Sequence, residues 1–281
     1  MLSASPPSTP LAPSTSWNPD TVTVSWTAPA ANGASITSYT ILIRTSDTGV
    51  YTTDLTNCNG ASSSILAAAA CQIPVSDLRA APFSLPWGTE VYAKIVATNS
   101  VGDSNESPIG HGAIITTNPD DPTSLAEDAT KRTATSLGLT WTQGASNGGA
   151  VVIDYRVSIS SNSGSYQVLA SGVTSTSYTA TSLNSGTTYS FKIEARNSYG
   201  FSALSNTLSL YCGYIPATPT APTTSVSGNM AVITWSAPAA NGATITSYQI
   251  YIQVHGTTSY VLQSECDGTS ATVLATTTCS I

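Results

Sequence analysis

The chain has 281 residues, of which 41% are hydrophobic and only 8% are charged, and its formal net charge is −7. Disorder needs low hydrophobicity with high net charge, and nucleic-acid binding needs a basic patch, but the eight Lys and Arg residues are scattered along the sequence. No apolar run approaches the roughly 20 residues of a membrane span. Composition therefore predicts folded domains, no nucleic-acid partner and no membrane span in this segment.

One sequence pattern occurs three times along the chain. Residues 26–43 read WTAPAANGASITSYTILI, residues 141–159 read WTQGASNGGAVVIDYRVSI, and residues 235–252 read WSAPAANGATITSYQIYI. The first and third copies are identical at 14 of 18 positions, and the second carries one extra residue. A later block repeats as well, because residues 85–107 overlay residues 183–205 without a gap. The chain is therefore predicted to contain tandem repeats.

Apolar residues alternate with polar ones in each copy, which is typical of half-buried β-strands. The predicted faces of the first copy are Val22, Val24 and Trp26, then Tyr39, Ile41 and Ile43, then Val91, Ala93, Ile95 and Ala97. Equivalent faces recur in the other copies, and Gly, Pro and Asn clusters separate the runs. No long amphipathic helix is predicted. About seven short strands per repeat indicate a β-sandwich.

A set of motifs recurs in order in these copies. A Trp closes the second strand, a Pro-x-x-Asn-Gly loop follows in two copies, a Tyr opens the third strand, and Ile-x-Ala-x-Asn-x-x-Gly-x-Ser comes later. This order resembles fibronectin type III domains. The resemblance implies an all-β fold of tandem immunoglobulin-like sandwiches, two complete and one truncated. It also implies a tyrosine corner at Tyr189, whereas Val91 takes that position in the first copy.

The variant with a Leu-Pro-Trp-Gly turn and a Cys hairpin is similar to the repeat arrays of very large surface proteins of protists. Alignment predicts that residues 1–6 are the tail of a preceding repeat, residues 7–117 repeat 1, residues 118–215 repeat 2, and residues 216–281 the N-terminal part of repeat 3. Pro-rich linkers are semi-rigid. We expect further sequence to complete repeat 3, with strands from a neighbouring molecule as the alternative.

Two cysteine pairs share one spacing and one layout. Cys58 and Cys71 are separated by twelve residues, and so are Cys266 and Cys279, each pair beginning with Cys-Asn/Asp-Gly. This recurrence predicts two intramolecular disulfides, each worth about 3 kcal/mol, and an oxidising compartment. Zinc is the rival interpretation, but it needs four ligands at short spacings. Cys212 is left over, as a buried unpaired thiol or as an intermolecular disulfide.

Other candidate sites have an ordinary explanation beside the functional one. Residues 144–148 match the Gly-x-Ser-x-Gly nucleophile pattern, but Ser146 falls opposite Ala31 and Ala240 in the other copies, so no catalytic residue is predicted. The acids at 120–121 and 127–128 suggest calcium at a linker, or simply a solvated linker. Asn105 begins the sequon Asn-Glu-Ser and is a possible N-glycosylation site. Trp17, Trp87 and Tyr51 are possible exposed aromatics, able to stack on sugars.

These features predict a non-catalytic structural segment of a large extracellular or cell-surface protein, such as a filament, appendage or surface-coat component. Its expected partners are neighbouring repeats and other copies in a polymer, with a glycan or protein ligand as a further candidate. An adhesion or receptor ectodomain is one alternative, since repeat 2 lacks the Cys pair and has an altered loop at 143–149. An accessory region of a secreted enzyme is another. No cofactor and no metal are predicted.

Overall fold

The computed structural model describes residues 4–281, so residues 1–3 of the predicted tail lie outside the described residues. The chain forms two compact units. Unit 1 comprises Met1–Asp121, Gly144–Asp154 and Ala195–Ala203, and unit 2 comprises Pro122–Gln143, Tyr155–Glu194 and Leu204–Ile281. Unit 1 thus contains repeat 1 together with two loop segments of repeat 2.

Repeat 1 folds as two antiparallel sheets. Its elements are β1 (Ser14–Asn18), β2 (Thr21–Ser25), β3 (Ile36–Arg44), β4 (Tyr51–Thr52), α1 (Ser63–Ala68), β5 (Ala70–Pro74), α2 (Val75–Arg79), β6 (Glu90–Asn99), β7 (Gly102–Asp103) and β8 (Gly110–Ile114). One sheet has the order β1-β2-β5 and the other β4-β3-β6-β7, with β8 also paired to β6. The predicted apolar faces form one buried cluster between them, because alternate side chains of a strand point to the same side.

The segment between Cys58 and Cys71 differs from the predicted hairpin, since it contains the short helix α1. It is rich in Ala, which has the highest helix propensity. The helix ends at Ala69, which is left-handed with φ 49° and whose N–H donates to Ile65 O. Strand β5 begins directly afterwards, so the chain passes from helix to strand within one residue.

Repeat 2 has the same two-sheet plan without the helices α1 and α2. Its elements are β9 (Thr123–Asp128), a 3₁₀ turn (Ala129–Lys131), β10 (Leu137–Thr142), β11 (Asp154–Ser161), β12 (Gln167–Val173), β13 (Ser177–Ala180), β14 (Thr187–Arg196) and β15 (Leu208–Cys212). The sheet orders are β9-β10-β13 and β12-β11-β14-β15. The Asn184 N–H donates to the Tyr189 hydroxyl at 3.0 Å, which is the bond expected of a tyrosine corner. In repeat 1, Val91 is fully buried and Trp87 packs against the same core.

Repeat 3 has smaller sheets. Its elements are β16 (Thr223–Ser227), β17 (Met230–Thr234), β18 (Tyr251–Gln253), β19 (Tyr260–Leu262), α3 (Ala271–Thr276) and β20 (Thr278–Ser280). Strands β16-β17-β20 form one sheet and β18-β19 the other. Ile233, Ile250 and the two cysteines make up its buried cluster. Among residues 4–281, no helix is long and apolar enough to cross a membrane.

The same aromatic pair lies in each repeat, with the Trp at the end of the second strand and the Tyr on the third strand or, in repeat 3, just before it. The rings meet edge to face, an arrangement that the aromatic quadrupole favours. The ring centroids are 5.1 Å apart for Trp26–Tyr39, 5.3 Å for Trp141–Tyr155 and 5.2 Å for Trp235–Tyr248. Repetition of this pair accounts for the Trp and Tyr positions of the sequence pattern.

Candidate functional site: linker clamps and disulfide loops

The segment before each repeat is hydrogen-bonded to the Asn-Gly loop of that repeat (residues 30–34, 146–150 and 239–243). In repeat 1, the Ser5 N–H donates to Asn32 O and the Ser8 N–H donates to Ala30 O, both at 3.0 Å. The corresponding donor and acceptor pairs, all at 2.9 Å, are Thr117–Gly148, Asp120–Ser146, Tyr214–Asn241 and Ala217–Ala239. The donors are always three residues apart and the acceptors two. We call this recurrent arrangement the linker clamp.

The left-handed backbone of the Asn-Gly loop explains its sequence. Asn32, Gly148 and Asn241 occupy the same clamp position, with φ of 53°, 69° and 51°. Asn and Gly are the residues that adopt this conformation most readily. The Asn32 side chain also donates to Pro6 O at 2.8 Å, and that of Asn241 to Ile215 O at 2.7 Å. Gly148 keeps the backbone bond and lacks the side-chain bond.

A buried Asn at the end of β14 forms the second part of the clamp in repeat 2. Asn197 is 2% exposed, and its amide donates to Thr117 O at 2.7 Å and Asn147 O at 2.8 Å. Its Oδ1 accepts from the N–H groups of Tyr199 and Gly200. Two donors and two acceptor sites are the full capacity of an Asn side chain, so Asn197 joins the linker to two loops of its own repeat.

Repeat 1 has the same arrangement at the end of β6. Asn99 is 4% exposed, and its amide donates to Ser5 O at 2.8 Å and Ala31 O at 3.0 Å. Its Oδ1 accepts from the N–H groups of Val101 and Gly102. The Asn of the Ala-x-Asn-x-x-Gly motif is therefore a positioning residue for the linker, a role that the sequence pattern alone does not reveal.

The clamp also accounts for the Gly-x-Ser-x-Gly pattern. Ser146 N–H donates to Asp120 Oδ2 at 2.9 Å, and Ser146 Oγ accepts from the Gly148 N–H at 3.1 Å. The clamp bonds place Ser146 opposite Ala30 and Ala239, which corrects the sequence alignment by one position because the extra residue of repeat 2 lies before Ser146. Ser146 thus lies in a loop between two strands and contributes to the linker clamp.

Glycines lie in close contact beside two of the clamps. In unit 1, Gly149 packs on Gly88, where a Cβ added to Gly88 would lie 3.1 Å from Gly149 Cα. In unit 2, Gly242 packs on Gly186, where an added Cβ would lie 3.3 Å from Gly242 O. Any side chain at these glycines would separate the two backbones. Unit 1 adds an aromatic contact, since the rings of Trp17 and Tyr199 are 5.5 Å apart.

Both pairs of cysteines with twelve-residue spacing are joined by disulfides. The Cα atoms of Cys58 and Cys71 are 5.3 Å apart, and those of Cys266 and Cys279 are 5.7 Å apart. Each bridge links the start of a helix-containing loop to the following strand and is almost fully buried. The loops are stabilised in the same way, because Tyr39 N–H donates to Gly60 O and Tyr248 N–H to Gly268 O, both at 3.1 Å. A Cβ on either glycine would overlap the Tyr carbonyl, which explains the Gly of Cys-Asn/Asp-Gly.

Cys212 is a free cysteine with no exposed surface. Its thiol contacts Ala134 O at 3.3 Å, and burial raises its pKa, an effect that the nearby Arg132 partly reverses. A buried thiol with a raised pKa is poorly nucleophilic. The geometry fits the interpretation of Cys212 as a buried, unpaired thiol.

Asn105 is exposed in the loop between β7 and β8. Ser107, the hydroxyl residue of its sequon, is buried: its Oγ accepts from the Ile95 N–H at 3.0 Å and donates to Pro108 O at 2.8 Å. Ser205 forms the equivalent bond with Ile193 in repeat 2, at 2.9 Å. Ser107 therefore has a structural role that is independent of any glycan.

Three of the four acids near the first linker have protein partners. Asp120 accepts from Ser146, Glu127 pairs with Arg132 at 2.6 Å, and Asp128 caps the 3₁₀ turn through Thr130. Thr130, through its hydroxyl, lowers the pKa of the Asp128 carboxyl. Within the described residues, no group of three or more His, Cys, Asp or Glu side chains is placed to hold a metal ion.

The three aromatics singled out in the sequence are each in contact with other side chains. Trp87 is half-buried and its ring lies under the guanidinium of Arg79, 4.5 Å from the ring centroid. The Lys94 ammonium is 4.5 Å from the Tyr51 ring centroid. Together with the Trp17–Tyr199 contact, these arrangements give the aromatics structural partners, mostly through cation–π attraction.

Residues 120–210 match the family described as "Fibronectin type III domain", and no curated protein matches the chain. "Titin kinase and its flanking domains" is 30% identical over 32% of this chain and 16% of that chain, with a TM-score of 0.30. A crystal structure of titin domains A168-A170 is 16% identical over 73% of this chain and 61% of that chain, with a TM-score of 0.42. The chicken CNTN1 FN1-FN3 domains are 17% identical over 98% of this chain and 88% of that chain, with a TM-score of 0.40. This chain thus spans about a sixth of the titin kinase structure.

The sheets, the tyrosine corner and the matched region define the class of fold. The chain consists of tandem fibronectin type III-like β-sandwiches. Two of its repeats contain a buried disulfide and repeat 2 does not.

Proposed function

We propose that this chain is a non-catalytic structural segment of a large extracellular or cell-surface repeat protein. The observation that carries the proposal is the linker clamp, which recurs with the same backbone bonds before all three repeats. Because the clamp fixes the start of each repeat, it suits a protein whose task is to hold repeats in a defined succession. The Pro-rich composition of the linkers limits their flexibility further.

The proposed domains are repeat 1 at 7–117, repeat 2 at 118–215 and the N-terminal part of repeat 3 at 216–281. The clamps support these boundaries, because Ser5–Ser8, Thr117–Asp120 and Tyr214–Ala217 make equivalent bonds. Ser5 holds the same position before repeat 1 that Thr117 holds before repeat 2. This equivalence supports the proposal that residues 1–6 are the tail of a preceding repeat.

An extracellular or cell-surface location is proposed from the two disulfides, since such bonds persist in oxidising compartments. Asn105 is exposed and is the proposed site of N-glycosylation. The sequence resemblance to repeat arrays of very large protist surface proteins suggests a filament, an appendage or a surface coat. Neighbouring repeats and other copies of the protein are the proposed partners.

The adhesion alternative loses one of its two supports. It depends on the missing Cys pair and the altered loop of repeat 2 at 143–149, and Ser146 and Gly148 of that loop accept backbone bonds from the linker. The extra residue lies just before the clamp loop, where Gly144 is so close to Asp120 that a Cβ would be 2.5 Å from its carbonyl oxygen. The altered loop of repeat 2 is therefore explained without a ligand.

The proposal is tested on the native protein. Antibodies against this chain are applied to intact, unpermeabilised cells, and the extracted protein is digested without reduction and mapped by mass spectrometry. We expect surface or extracellular labelling, and linked peptides for Cys58–Cys71 and Cys266–Cys279. Labelling that requires permeabilisation, together with reduced cysteines, would contradict an extracellular structural role.

A further inference from the structure

We propose that the end of repeat 1 that carries Asn32, Gly33 and Val101 is a docking surface for another fibronectin type III-like repeat, whose glycine turn it receives. The inference rests on the proposed function and adds a defined surface and a partner of defined chemistry. It follows from comparing this end of repeat 1 with the equivalent ends of repeats 2 and 3.

The equivalent end of repeat 2 is in contact with repeat 1 within unit 1. Its Gly149 packs on Gly88, in the Leu-Pro-Trp-Gly turn of repeat 1. Its Tyr199, two residues after the clamp residue Asn197, packs on Trp17. The Asn-Gly loop and the turn after the clamp Asn therefore both touch the repeat that comes before.

The equivalent end of repeat 3 is in contact with repeat 2 within unit 2. Its Gly242 packs on Gly186, which holds in repeat 2 the position of Gly88. The Tyr211 hydroxyl donates to Gly242 O. The contact between two glycines thus occurs beside two independent clamps, with a different aromatic residue reinforcing each.

Repeat 1 presents the same features, but they are exposed. Gly33 has φ 89°, against 84° for Gly149 and 93° for Gly242. Asn32 and Gly33 are exposed, whereas Gly149 and Gly242 are half-buried. The clamp around Ser5 and Ser8 is already formed, so the chain that enters repeat 1 runs along the same course as the linkers of the other two repeats.

Val101 gives a second, independent indication. It lies two residues after Asn99, as Tyr199 lies two residues after Asn197, and it is 48% exposed. In repeat 2 the counterpart of Val101 is Tyr199, and Trp17 of repeat 1 packs on it. The fitting partner is a repeat with a glycine turn and a nearby aromatic side chain. Neither Asn32, Gly33 nor Val101 is charged, so docking should depend little on salt.

The test extends the chain at its beginning with a second copy of repeat 2. Residues 118–213 are joined directly to Ser5, because Ser5 and Tyr214 hold equivalent clamp positions. Repeat 1 remains unique in this extended chain, so its peptides are unambiguous in hydrogen exchange. We expect the amides of residues 32–34 and 101–102 to exchange about tenfold more slowly than in the 281-residue chain, because docking removes local opening.

A matched substitution separates docking from a general effect of the extension. Val101→Asp should abolish the added protection in the extended chain and leave the unfolding of the 281-residue chain unchanged, since Val101 is exposed there. Val50→Asp, at a residue that is 53% exposed elsewhere in repeat 1, should change neither chain. Equal exchange in both chains, or an equal effect of Val101→Asp in both, would overturn the docking proposal.

The occupied junction shows whether such a failure extends to the proposed function. Tyr199→Asp in the 281-residue chain should speed amide exchange at Thr117 and Gly149 by about tenfold, because it removes the contact with Trp17. If Tyr199→Asp has this effect but the extended chain gains no protection, the docking surface is wrong and the clamped linker stands. If neither effect is seen, both proposals fail.

Discussion

Repeats 1 and 3 have nearly the same sequence around the Trp–Tyr pair, yet they bury it to different extents. Trp26 and Ile43 are 8% and 0% exposed, whereas their counterparts Trp235 and Ile252 are half-buried. The sequence of this region is identical at 14 of 18 positions. The local sequence therefore determines which residues face the core, and something else determines how far they are buried.

The difference lies in the strand beside the conserved segment. In repeat 1, β3 pairs with β6 from Ile36–Asn99 to Ile43–Ala93, and β6 places buried side chains at every second position. In repeat 3, the equivalent segment is a strand only at Tyr251–Gln253 and, among the described residues, pairs only with β19. Strand length and burial thus depend on the neighbouring strand more than on intrinsic preference, as expected for β-structure.

The largest difference between the two repeats is expected for a matched pair of core substitutions. Ile43→Ala should destabilise repeat 1 by about 3 kcal/mol, because it opens a cavity in a closed core. In the 281-residue chain, Ile252→Ala should cost repeat 3 about 1 kcal/mol, since its side chain is half-buried there. Urea titration followed by NMR signals of each repeat measures both. Equal losses would mean that the two cores are equally closed.

Loss of its disulfide should destabilise repeats 1 and 3 equally, in contrast to the core substitutions. A disulfide acts mainly by restricting the unfolded chain, which does not depend on how closed the core is. Both bridges span a sequence separation of 13 residues, so replacing either pair by Ala should cost about 3 kcal/mol. The double variants Cys58→Ala/Cys71→Ala and Cys266→Ala/Cys279→Ala are compared by urea titration. A loss confined to repeat 1 would show instead that the bridge acts through packing in the folded core.

The buried Asn99 distinguishes the linker clamp before repeat 1 from the clamp before repeat 3. Asn99→Ala should cost repeat 1 about 2 kcal/mol, because it leaves buried carbonyl and N–H groups without partners. It should also speed amide exchange at Ser8 towards the rate of its counterpart Ala217, whose clamp has no such buried Asn among the described residues. Asn105→Ala is the matched control, because Asn105 is exposed. Unchanged exchange at Ser8 would show that the backbone bonds alone hold the linker.

The smallest expected effect is in repeat 2, which has no disulfide. Its free energy of unfolding should depend on pH through the buried thiol of Cys212. Burial raises the pKa of this thiol in the folded state, so the unfolded chain loses its proton first as the pH rises. The stabilisation is complete below the unfolded pKa of about 8.5 and is lost as the pH rises through the folded pKa. Cys212→Ala should flatten the dependence of repeat 2 stability on pH above about 8.5. An identical slope in this variant would place the effect elsewhere.

Much of the fold could be predicted from the sequence because the repeats act as internal controls. The alternation at Val22 and Val24 gives the buried face of β2, and the equal spacing of Cys58–Cys71 and Cys266–Cys279 gives the two pairings. The fibronectin type III-like class follows from the order of Trp, Tyr and the Ala-x-Asn motif. Each of these signals depends on side-chain type at fixed spacing.

The linker clamp could not be predicted, because the bonds that recur before all three repeats join backbone atoms. A bond between the N–H of Thr117 and the carbonyl of Gly148 does not require a particular side chain at either residue. Which loop residue accepts the bond also depends on where the extra residue of repeat 2 lies. Asn99 is visible as a motif residue and Ser107 as part of the sequon, but the sequence does not show the backbone groups that they bind. The sequence does not predict helix α1, because its six residues are too few to show helical periodicity.

The most direct test of the account is native-state hydrogen exchange at the amides of Thr117, Asp120, Tyr214 and Ala217. These N–H groups belong to linkers, and their acceptors are loop carbonyls. If the clamps hold the linkers, these four amides should exchange at least about a hundredfold more slowly than unstructured chain. Exchange at the rate of an unstructured peptide would contradict the claim that each repeat is tied to the linker before it.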